Sequence, residues 1–267
     1  MTCTLIITTY NWAEALELSV KSALNQTVLP NEIIIADDGS TFETKELLEK
    51  IAKESKIKII HSWQEDEGFR LAKSRNLAIS KASSNYIIIV DGDMLLDKNF
   101  IADHLRCANA GYYIQGSRVI LSKKLSSKIL TNKQSLKPTI LNKEITNKIN
   151  LLRIPLLSKI FCQKSTQKLH GVRGCNFAFF KNDCIKINGF NEDFTTWGRE
   201  DSEFVQRFYN LGIKRKKLKF SGIQYHLYHK EGNANSCNDQ ILKKTIEKKL
   251  TWCENGIDKH LKSNHVV

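Results

Sequence analysis

The first 120 residues alternate between short apolar runs and amphipathic helical patterns, and this alternation restricts the fold more than any other feature. Apolar and β-branched residues dominate 4–8, 32–36, 56–61 and 86–90, whereas 13–25, 44–53 and 71–81 have helical spacing. Strands that alternate with helices form a parallel sheet covered by helices on both faces. We therefore expect an α/β protein with a mostly parallel, Rossmann-like central sheet.

Length and composition set further bounds. With 267 residues, 41% of them hydrophobic, the chain can form one large or two small globular units. It begins with an apolar run and lacks a basic leader, so we expect a cytoplasmic protein. No stretch approaches the roughly 20 apolar residues of a membrane-spanning helix. The seven cysteines are an odd number without a Cys-x-x-Cys pair, so we expect reduced thiols rather than a disulfide framework or a zinc ribbon.

Ligands of such sheets bind beyond the carboxyl ends of the strands, and three of these ends are polar here. They are Thr8-Thr9-Tyr10-Asn11, Asp37-Asp38-Gly39-Ser40 and Asp91-Gly92-Asp93. The second motif alone is typical of a turn that enters a helix. Its functional interpretation is base recognition, in which Asp38 accepts a ring N–H and Tyr10 offers a stacking face.

Asp91 and Asp93 also have two interpretations. The motif is compatible with a turn, but two carboxylates that converge at a ligand edge repel each other unless a cation compensates them. Farther along the chain, His226-Leu227-Tyr228-His229 supplies two imidazoles. These are either histidines with ordinary hydrogen bonds or further ligands for the same cation. A divalent cation at this position suits the transfer of a sugar from a nucleotide, because it stabilises the departing diphosphate.

A second acidic motif follows a glycine-rich loop, in Trp197-Gly198-Arg199-Glu200-Asp201-Ser202-Glu203. Acids in the first turn of a helix favour the helix dipole, which explains one or two of them. The adjacent Trp197 is either packing or a platform for the apolar face of a sugar. A carboxylate here can take the proton of an attacking hydroxyl.

The net charge of +13 is concentrated in one segment. Residues 121–168 contain ten lysines and Arg153 against the single acid Glu144, which gives 11 − 1 = +10. Apolar residues alternate with these charges in 149–161. The segment is suited to an anionic membrane surface, an anionic acceptor or nucleic acid, or it is a solvated helical insertion. We do not expect nucleic acid, because aromatic residues are sparse there and no nucleic-acid motif is present.

In order along the chain, these motifs resemble family 2 glycosyltransferases with the GT-A fold. Residues 3–120 carry Thr-Thr-Tyr-Asn, Asp-Asp-Gly-Ser, Gly68-Phe-Arg-Leu-Ala-Lys-Ser-Arg-Asn76 and Asp-Gly-Asp. Residues 170–230 carry Gly-x-Asn-x-Ala, Trp-Gly-x-Glu-Asp and His-x-x-His, and are similar to the galactosyltransferase-type region of chondroitin-polymerase-like and animal β-1,4-galactosyltransferase enzymes.

The resemblance implies a role for each matched position. A UDP-sugar donor would lie against Thr8, Tyr10, Asp38, Arg70 or Arg75, and Asp91. Mn²⁺ or Mg²⁺ would be held by Asp93, His226 and His229. Asp201 would be the general base and Glu200 a second catalytic residue, and Glu200, Trp197 and Asn176 would bind the acceptor. Transfer would invert the anomeric carbon.

The resulting expectation is one GT-A domain with four parts. These are a nucleotide-sugar-binding half (1–120), a basic and partly helical insertion (121–168), an acceptor-binding half (169–235) and a C-terminal amphipathic helix (236–267). The acceptor would be a glycan or glycolipid of bacterial lipo-oligosaccharide or surface polysaccharide, and the enzyme would work on the inner membrane face as a peripheral protein. The alternative is a catalytically silent sugar-nucleotide-binding module.

Overall fold

Strands and helices alternate along residues 1–133, 138–230 and 236–263, which the computed structural model describes. The strands are β1 (Cys3–Thr9), β2 (Glu32–Asp37), β3 (Lys58–Trp63), β4 (Tyr86–Asp91), β5 (Met94–Leu96), β6 (Tyr112–Gln115), β7 (Val119–Leu121), β8 (Ile145–Thr146), β9 (Ser165–Thr166), β10 (Asn176–Phe180), β11 (Lys214–Lys217) and β12 (Gln224–His226). The helices are α1 (Ala13–Leu24), α2 (Phe42–Glu54), α3 (Leu71–Lys81), α4 (Phe100–Cys107), α5 (Lys123–Asn132), α6 (Pro155–Phe161), α7 (Lys181–Lys186), α8 (Glu200–Asn210), α9 (Ser236–Glu247) and α10 (Asp258–Ser263), with a 3₁₀ turn at Lys148–Leu151.

Eight of these strands form a central sheet in the order β3-β2-β1-β4-β10-β6-β11-β9. The first four strands are mutually parallel, as the sequence predicts. β10 lies antiparallel to both of its neighbours, β4 and β6, so the sheet is mixed in its second half. A smaller sheet has the order β5-β12-β7-β8. The predicted α/β class is confirmed.

The central strands are buried on both faces, which accounts for their continuous isoleucine-rich sequences. Successive side chains of a strand point to opposite faces. Leu5 and Ile88 accordingly belong to the apolar cluster on one face of the sheet, whereas Ile6 and Ile89 belong to the cluster on the other. Helices pack on both faces of the sheet, so the strand ends hold their polar groups in defined positions.

The register of the parallel strands brings the polar motifs to one edge. Thr9 pairs with Asp37, and Thr8 pairs with Asp91. Gly92 lies so close to β1 that a Cβ atom there would be 2.7 Å from the Thr8 carbonyl oxygen. This close approach explains why glycine separates the two aspartates.

The C-terminal region differs from the predicted single helix. α9 ends before Lys249, which has a left-handed φ of 48°, and α10 begins only at Asp258. The intervening chain contacts Asn188, whose side-chain amide donates to the Cys253 carbonyl at 2.8 Å and whose own carbonyl accepts from Ile257 N–H at 2.9 Å. These contacts with the loop after α7 replace the continuation of the helix, and residues 264–267 lie outside the described residues.

The expectation of reduced cysteines is wrong for one pair. The C-terminal ends of α4 and α6 lie close together, and Cys107 and Cys162 form a disulfide there across 55 residues of sequence. Cysteine spacing carries no signal for this pair, because the contact arises from tertiary structure. Cys3, Cys175, Cys184 and Cys253 are free thiols.

Within the described residues, every helix is too short or too polar to cross a lipid bilayer.

Candidate active site

A cavity of about 790 Å³ opens at the polar edge of the sheet and collects most of the predicted site residues. Its walls include Thr8, Tyr10, Asp38, Arg75, Asp91, Asp93, Trp197, Glu200, Asp201, His226 and His229. Arg70 and Asn176 do not line it. The cavity therefore unites residues that are up to 221 positions apart along the chain, from Thr8 to His229.

Asp93, His226 and His229 form a compact triad in this cavity. Pairing of β12 with β5 sets His226 beside Met94, next to Asp93 in the chain. Asp93 Oδ2 lies 3.0 Å from His226 Nε2 and 3.1 Å from His229 Nε2, and the two Nε2 atoms are 3.1 Å apart. His229 Nδ1 donates to the Lys230 carbonyl at 2.8 Å, which leaves its Nε2 as the ligand atom.

The triad fits a divalent cation by three criteria. One carboxylate and two imidazoles are ordinary ligands of first-row divalent metals. Neighbouring ligands of an octahedral ion with bonds of about 2.1 Å are about 3.0 Å apart, close to the observed spacings. Asp93 Oδ1 is buried without a hydrogen-bond partner, as expected for an oxygen that a further ligand would satisfy.

The charges of the triad are strongly coupled. Burial raises the pKa of Asp93, but hydrogen bonds from His226 and His229 outweigh it and lower the pKa to about 2. The hydrogen bond to Asp93 raises the pKa of His229 to about 9. Asp93 is thus an anion at neutral pH, and a cation at this position would compete with the His229 proton.

A second cluster surrounds the buried guanidinium of Arg75. Its Nη2 is 3.7 Å from Asp91 Oδ1, and its Nη1 is 3.4 Å from Glu200 Oε1. Thr8 Oγ1 donates to the same Asp91 oxygen at 3.1 Å. Arg75 contacts the Phe190 ring, with Cζ 5.1 Å from the centroid. A Cβ atom at Gly174 would come within 2.6 Å of Arg75 Nη2, so the absent side chain makes room for the guanidinium.

The carboxylates around Arg75 hold their protons more tightly than usual. Burial and the charge of Asp201 raise the pKa of Glu200 to about 7, against the attraction of Arg75. Burial also raises the pKa of Asp201, although Arg75 and the Ser202 amide oppose it. Glu200 Oε2 is buried without a hydrogen-bond partner. Raised pKa values at a cavity are typical of proton-transfer groups.

Asp38 lies at the other end of the cavity. Gln64 Nε2 donates to its Oδ1 at 2.6 Å, and Arg70 N–H donates to its Oδ2 at 2.9 Å. Burial raises the pKa of Asp38 to about 6 despite these bonds. Tyr10, half exposed, lines the same end and donates from its hydroxyl to Asp66 Oδ2 at 3.0 Å.

Arg70, which was predicted to contact the donor, contacts Asp38 through its backbone and does not line the cavity. Its backbone N–H orients Asp38, whereas its side-chain Nη1 donates to the Phe69 carbonyl at 3.0 Å. The contact of Arg70 with the site is therefore the backbone hydrogen bond that orients Asp38.

Trp197 stands at the cavity wall on a loop that α9 holds in place. The side-chain amide of Asn238 donates to the carbonyls of Thr196 at 2.9 Å, Trp197 at 3.3 Å and Gly198 at 2.7 Å. Arg199, with a left-handed φ of 76°, adds an ion pair with Asp239 at 2.7 Å. Trp197 keeps 44% of its surface exposed, so its ring is available to a ligand.

Asn176, which was predicted to contact an acceptor, does not line the cavity. Asn176 is fully buried. Its Oδ1 lies 2.8 Å from His104 Nε2, and its Nδ2 donates to the Ser117 carbonyl at 2.9 Å. These bonds join β10 to α4 and to the loop before β7, so the side chain stabilises the sheet edge beneath the cavity.

Four cavity or support residues were not predicted. Trp12 packs edge-on against His229, with ring centroids 6.3 Å apart. Arg118 and Arg173 line the cavity, and Arg118 Nη1 is 3.9 Å from Cys175 Sγ. Asn238 fixes the Trp197 loop from outside. Only Trp12 had a usable signal, since it directly follows the polar motif after β1.

Comparison with known proteins agrees with this architecture. Residues 4–183 match the family described as Glycosyl transferase family 2, and residues 159–230 match the N-terminal domain of galactosyltransferase. The chondroitin synthase of Escherichia coli is 30% identical over 241 residues, which cover 83% of this chain and 34% of that protein. The validoxylamine A glucosyltransferase of Streptomyces hygroscopicus subsp. limoneus is 25% identical over 221 residues, 78% of this chain and 48% of that protein.

Solved structures support the fold. The crystal structure of S. aureus TarS 1-349 in complex with UDP-GlcNAc superposes with a TM-score of 0.65 at 16% identity, and the match covers 97% of this chain and 69% of that one. The chain spans about a third of the length of the E. coli chondroitin synthase that it resembles. Because the first family match covers more than half of its residues, the chain belongs to glycosyl transferase family 2 and has the GT-A fold.

Proposed function

We propose that this chain is a metal-dependent, inverting glycosyltransferase. It moves a hexose or N-acetylhexosamine from a UDP-sugar to a hydroxyl group of a glycan or glycolipid acceptor. The observation that carries the proposal is the single cavity in which Asp38, the Asp93 triad and the Glu200–Asp201 pair lie together. Asp38 would bind the nucleotide base, the Asp93 triad would hold a cation, and the Glu200–Asp201 pair would accept a proton.

The donor end is suited to uridine. An ionised Asp38 can accept the ring N–H of uracil, and the exposed ring of Tyr10 offers a stacking surface. The TarS structure with bound UDP-GlcNAc supports the assignment of a UDP-sugar. Asp93, His226 and His229 would hold Mn²⁺ or Mg²⁺. When bound, such a cation supplies the positive charge that stabilises a diphosphate leaving group.

The acceptor end contains the general base. Asp201 lies in the cavity wall with a raised pKa, which increases its ability to take the proton of an attacking hydroxyl. Glu200 beside it is an acceptor-binding carboxyl group, and Trp197 covers the apolar face of a sugar. Attack on the anomeric carbon opposite the diphosphate inverts its configuration.

The acceptor that we propose belongs to a bacterial lipo-oligosaccharide or surface polysaccharide. The likeness to a chondroitin synthase supports a polysaccharide product. The basic and apolar character of 121–168 supports an acceptor carried at a membrane surface, where the protein would act as a peripheral enzyme.

The test is nucleotide release from a panel of UDP-sugars, with and without Mn²⁺ or Mg²⁺. We expect one donor to release UDP in the wild type, and we expect Asp93→Ala and Asp201→Asn to abolish most of that release. Asp183→Asn is the matched control, because this carboxylate pairs with Lys186 outside the cavity.

Two outcomes would contradict the proposal. Unchanged UDP release by Asp201→Asn would remove that residue from catalysis. Binding of UDP without release from any donor, even when glycan acceptors are added, would indicate the silent sugar-nucleotide-binding module instead.

A further inference from the structure

Helix α6 exposes its apolar side chains and buries its serine. Leu156 is 80% exposed, Ile160 54% and Leu157 39%, whereas Ser158 is fully buried. Ser158 Oγ is 2.5 Å from Ser221 Oγ, a contact that holds the polar side of the helix against the protein. A helix at a water-exposed surface normally has the opposite arrangement.

This α6 apolar face, defined by Leu156, Leu157 and Ile160, continues along the chain on its N-terminal side. Four further exposed apolar residues lie in the same segment: Ile140, Leu141, Ile149 and Ile154. Ile140 shares a shallow depression of about 370 Å³ with Leu151, Leu152 and Arg153, so the two stretches are neighbours in space. Exposed apolar residues clustered on one helix face, as on α6, mark an interaction site.

Positive charge surrounds the α6 apolar face. Lys159 lies on the helix itself, and Lys164 and Lys219 lie 5.5 Å and 5.1 Å from the Phe161 ring at its C-terminal end. Residues 121–168 contain one acid, Glu144, which bonds with Ser122 rather than with a lysine of this surface. Among the described residues, Lys159, Lys164 and Lys219 have no ion pair with a carboxylate, so the surface combines exposed leucine and isoleucine side chains with available cations.

We infer that the α6 apolar face docks on an anionic phospholipid bilayer. Apolar side chains enter the boundary between headgroups and acyl chains, while lysines contact anionic headgroups. A second copy of this chain fits less well, because a symmetric contact would bring the same lysines together. The inference rests on the proposed function in one respect: docking would bring the cavity to a lipid-linked acceptor.

Flotation with lipid vesicles tests the inference. The vesicles contain phosphatidylcholine alone or phosphatidylcholine with phosphatidylglycerol, at low and at physiological salt. We expect the wild type to bind the anionic vesicles and to dissociate as salt increases. Leu156→Ser/Ile160→Ser should abolish binding. Lys159→Gln/Lys164→Gln should weaken it about 25-fold, since each lysine at an anionic surface contributes about fivefold.

Matched controls remove equivalent groups elsewhere. Val28→Ser/Leu29→Ser removes two exposed apolar side chains from the loop between α1 and β2, and Lys50→Gln/Lys53→Gln removes two charges from α2. Both controls should bind vesicles like the wild type. All replaced side chains on α6 are exposed or half-exposed, and unchanged melting temperatures would verify that the variants fold.

Three results would overturn the inference. In flotation, these are equal wild-type binding to neutral and anionic vesicles, and unchanged binding by the α6 variants. In sedimentation, it is a wild-type dimer that Leu156→Ser/Ile160→Ser dissociates. The last result would assign the face to self-association. UDP release in solution requires no vesicle, so it reports separately on the proposed function. Loss of vesicle binding with normal UDP release is the expected behaviour of the α6 variants.

Discussion

Glu200 provides a quantitative test of the site's electrostatics. Its pKa of about 7, compared with the ordinary 4.5, means that folding favours the protonated form. Stability from this group is therefore fully present below pH 4.5 and is lost as pH rises through about 7. At about 1.4 kcal/mol per pH unit, the difference corresponds to about 3 kcal/mol. Glutamine resembles the protonated acid in shape, so Glu200→Gln should be more stable than the wild type by about 3 kcal/mol at pH 8.

The assay is urea unfolding of the wild type and Glu200→Gln at pH 8 and pH 4.5. At pH 4.5 the two proteins should agree within about 0.5 kcal/mol, because the wild-type carboxyl group is then largely protonated in the folded state. Glu46→Gln, an exposed position on α2, should have no effect at either pH. A destabilised Glu200→Gln at pH 8, or a gain that is equal at both pH values, would refute the reasoning.

Two further predictions concern the ends of the cavity. Asn238→Ala leaves three loop carbonyls without their donor. With Trp12, Trp63 and Trp252 replaced by phenylalanine, we therefore expect stronger acrylamide quenching of Trp197 fluorescence. Asn210→Ala in the same background frees the carbonyls of Thr245 and Leu250 instead and should leave the quenching unchanged. Because the pKa of Asp38 is about 6 and uracil requires the ionised acceptor, UDP affinity measured by calorimetry should fall as pH drops below about 6, approaching tenfold per unit, and Asp38→Asn should remove this dependence.

The site residues at the carboxyl ends of the strands could be predicted because the pattern that indicates them lies within a few consecutive residues. A buried parallel strand is recognisable as an apolar run, and the polar residues that follow it must lie at the sheet edge. Asp38, Asp91 and Asp93 were identified in this way, and the cavity contains all three. The His226-x-x-His229 motif suggested two further ligands, and the resemblance to family 2 favoured that interpretation over ordinary hydrogen bonds.

Residues that act through tertiary contacts could not be predicted. Asn238 holds a loop that lies about 40 positions before it, and any surface-helix asparagine has the same sequence pattern. Asn176 follows the family motif but is used for packing, which only its burial reveals. The exposure of the apolar face of α6 could not be predicted either, because helical spacing shows which residues share a face but not which face contacts the core.

The charge balance of the cavity connects the cation site with the donor. Its wall contains five carboxylates, at Asp38, Asp91, Asp93, Glu200 and Asp201. Arg75 is already engaged by Asp91 and Glu200, so it has little positive potential left for an incoming diphosphate. Arg118 and Arg173 at the same wall, together with a bound cation, would offset the repulsion between these carboxylates and a diphosphate. Among the described residues, the Asp93 triad is suited to hold a cation, so the electrostatics of the cavity support the proposed metal dependence.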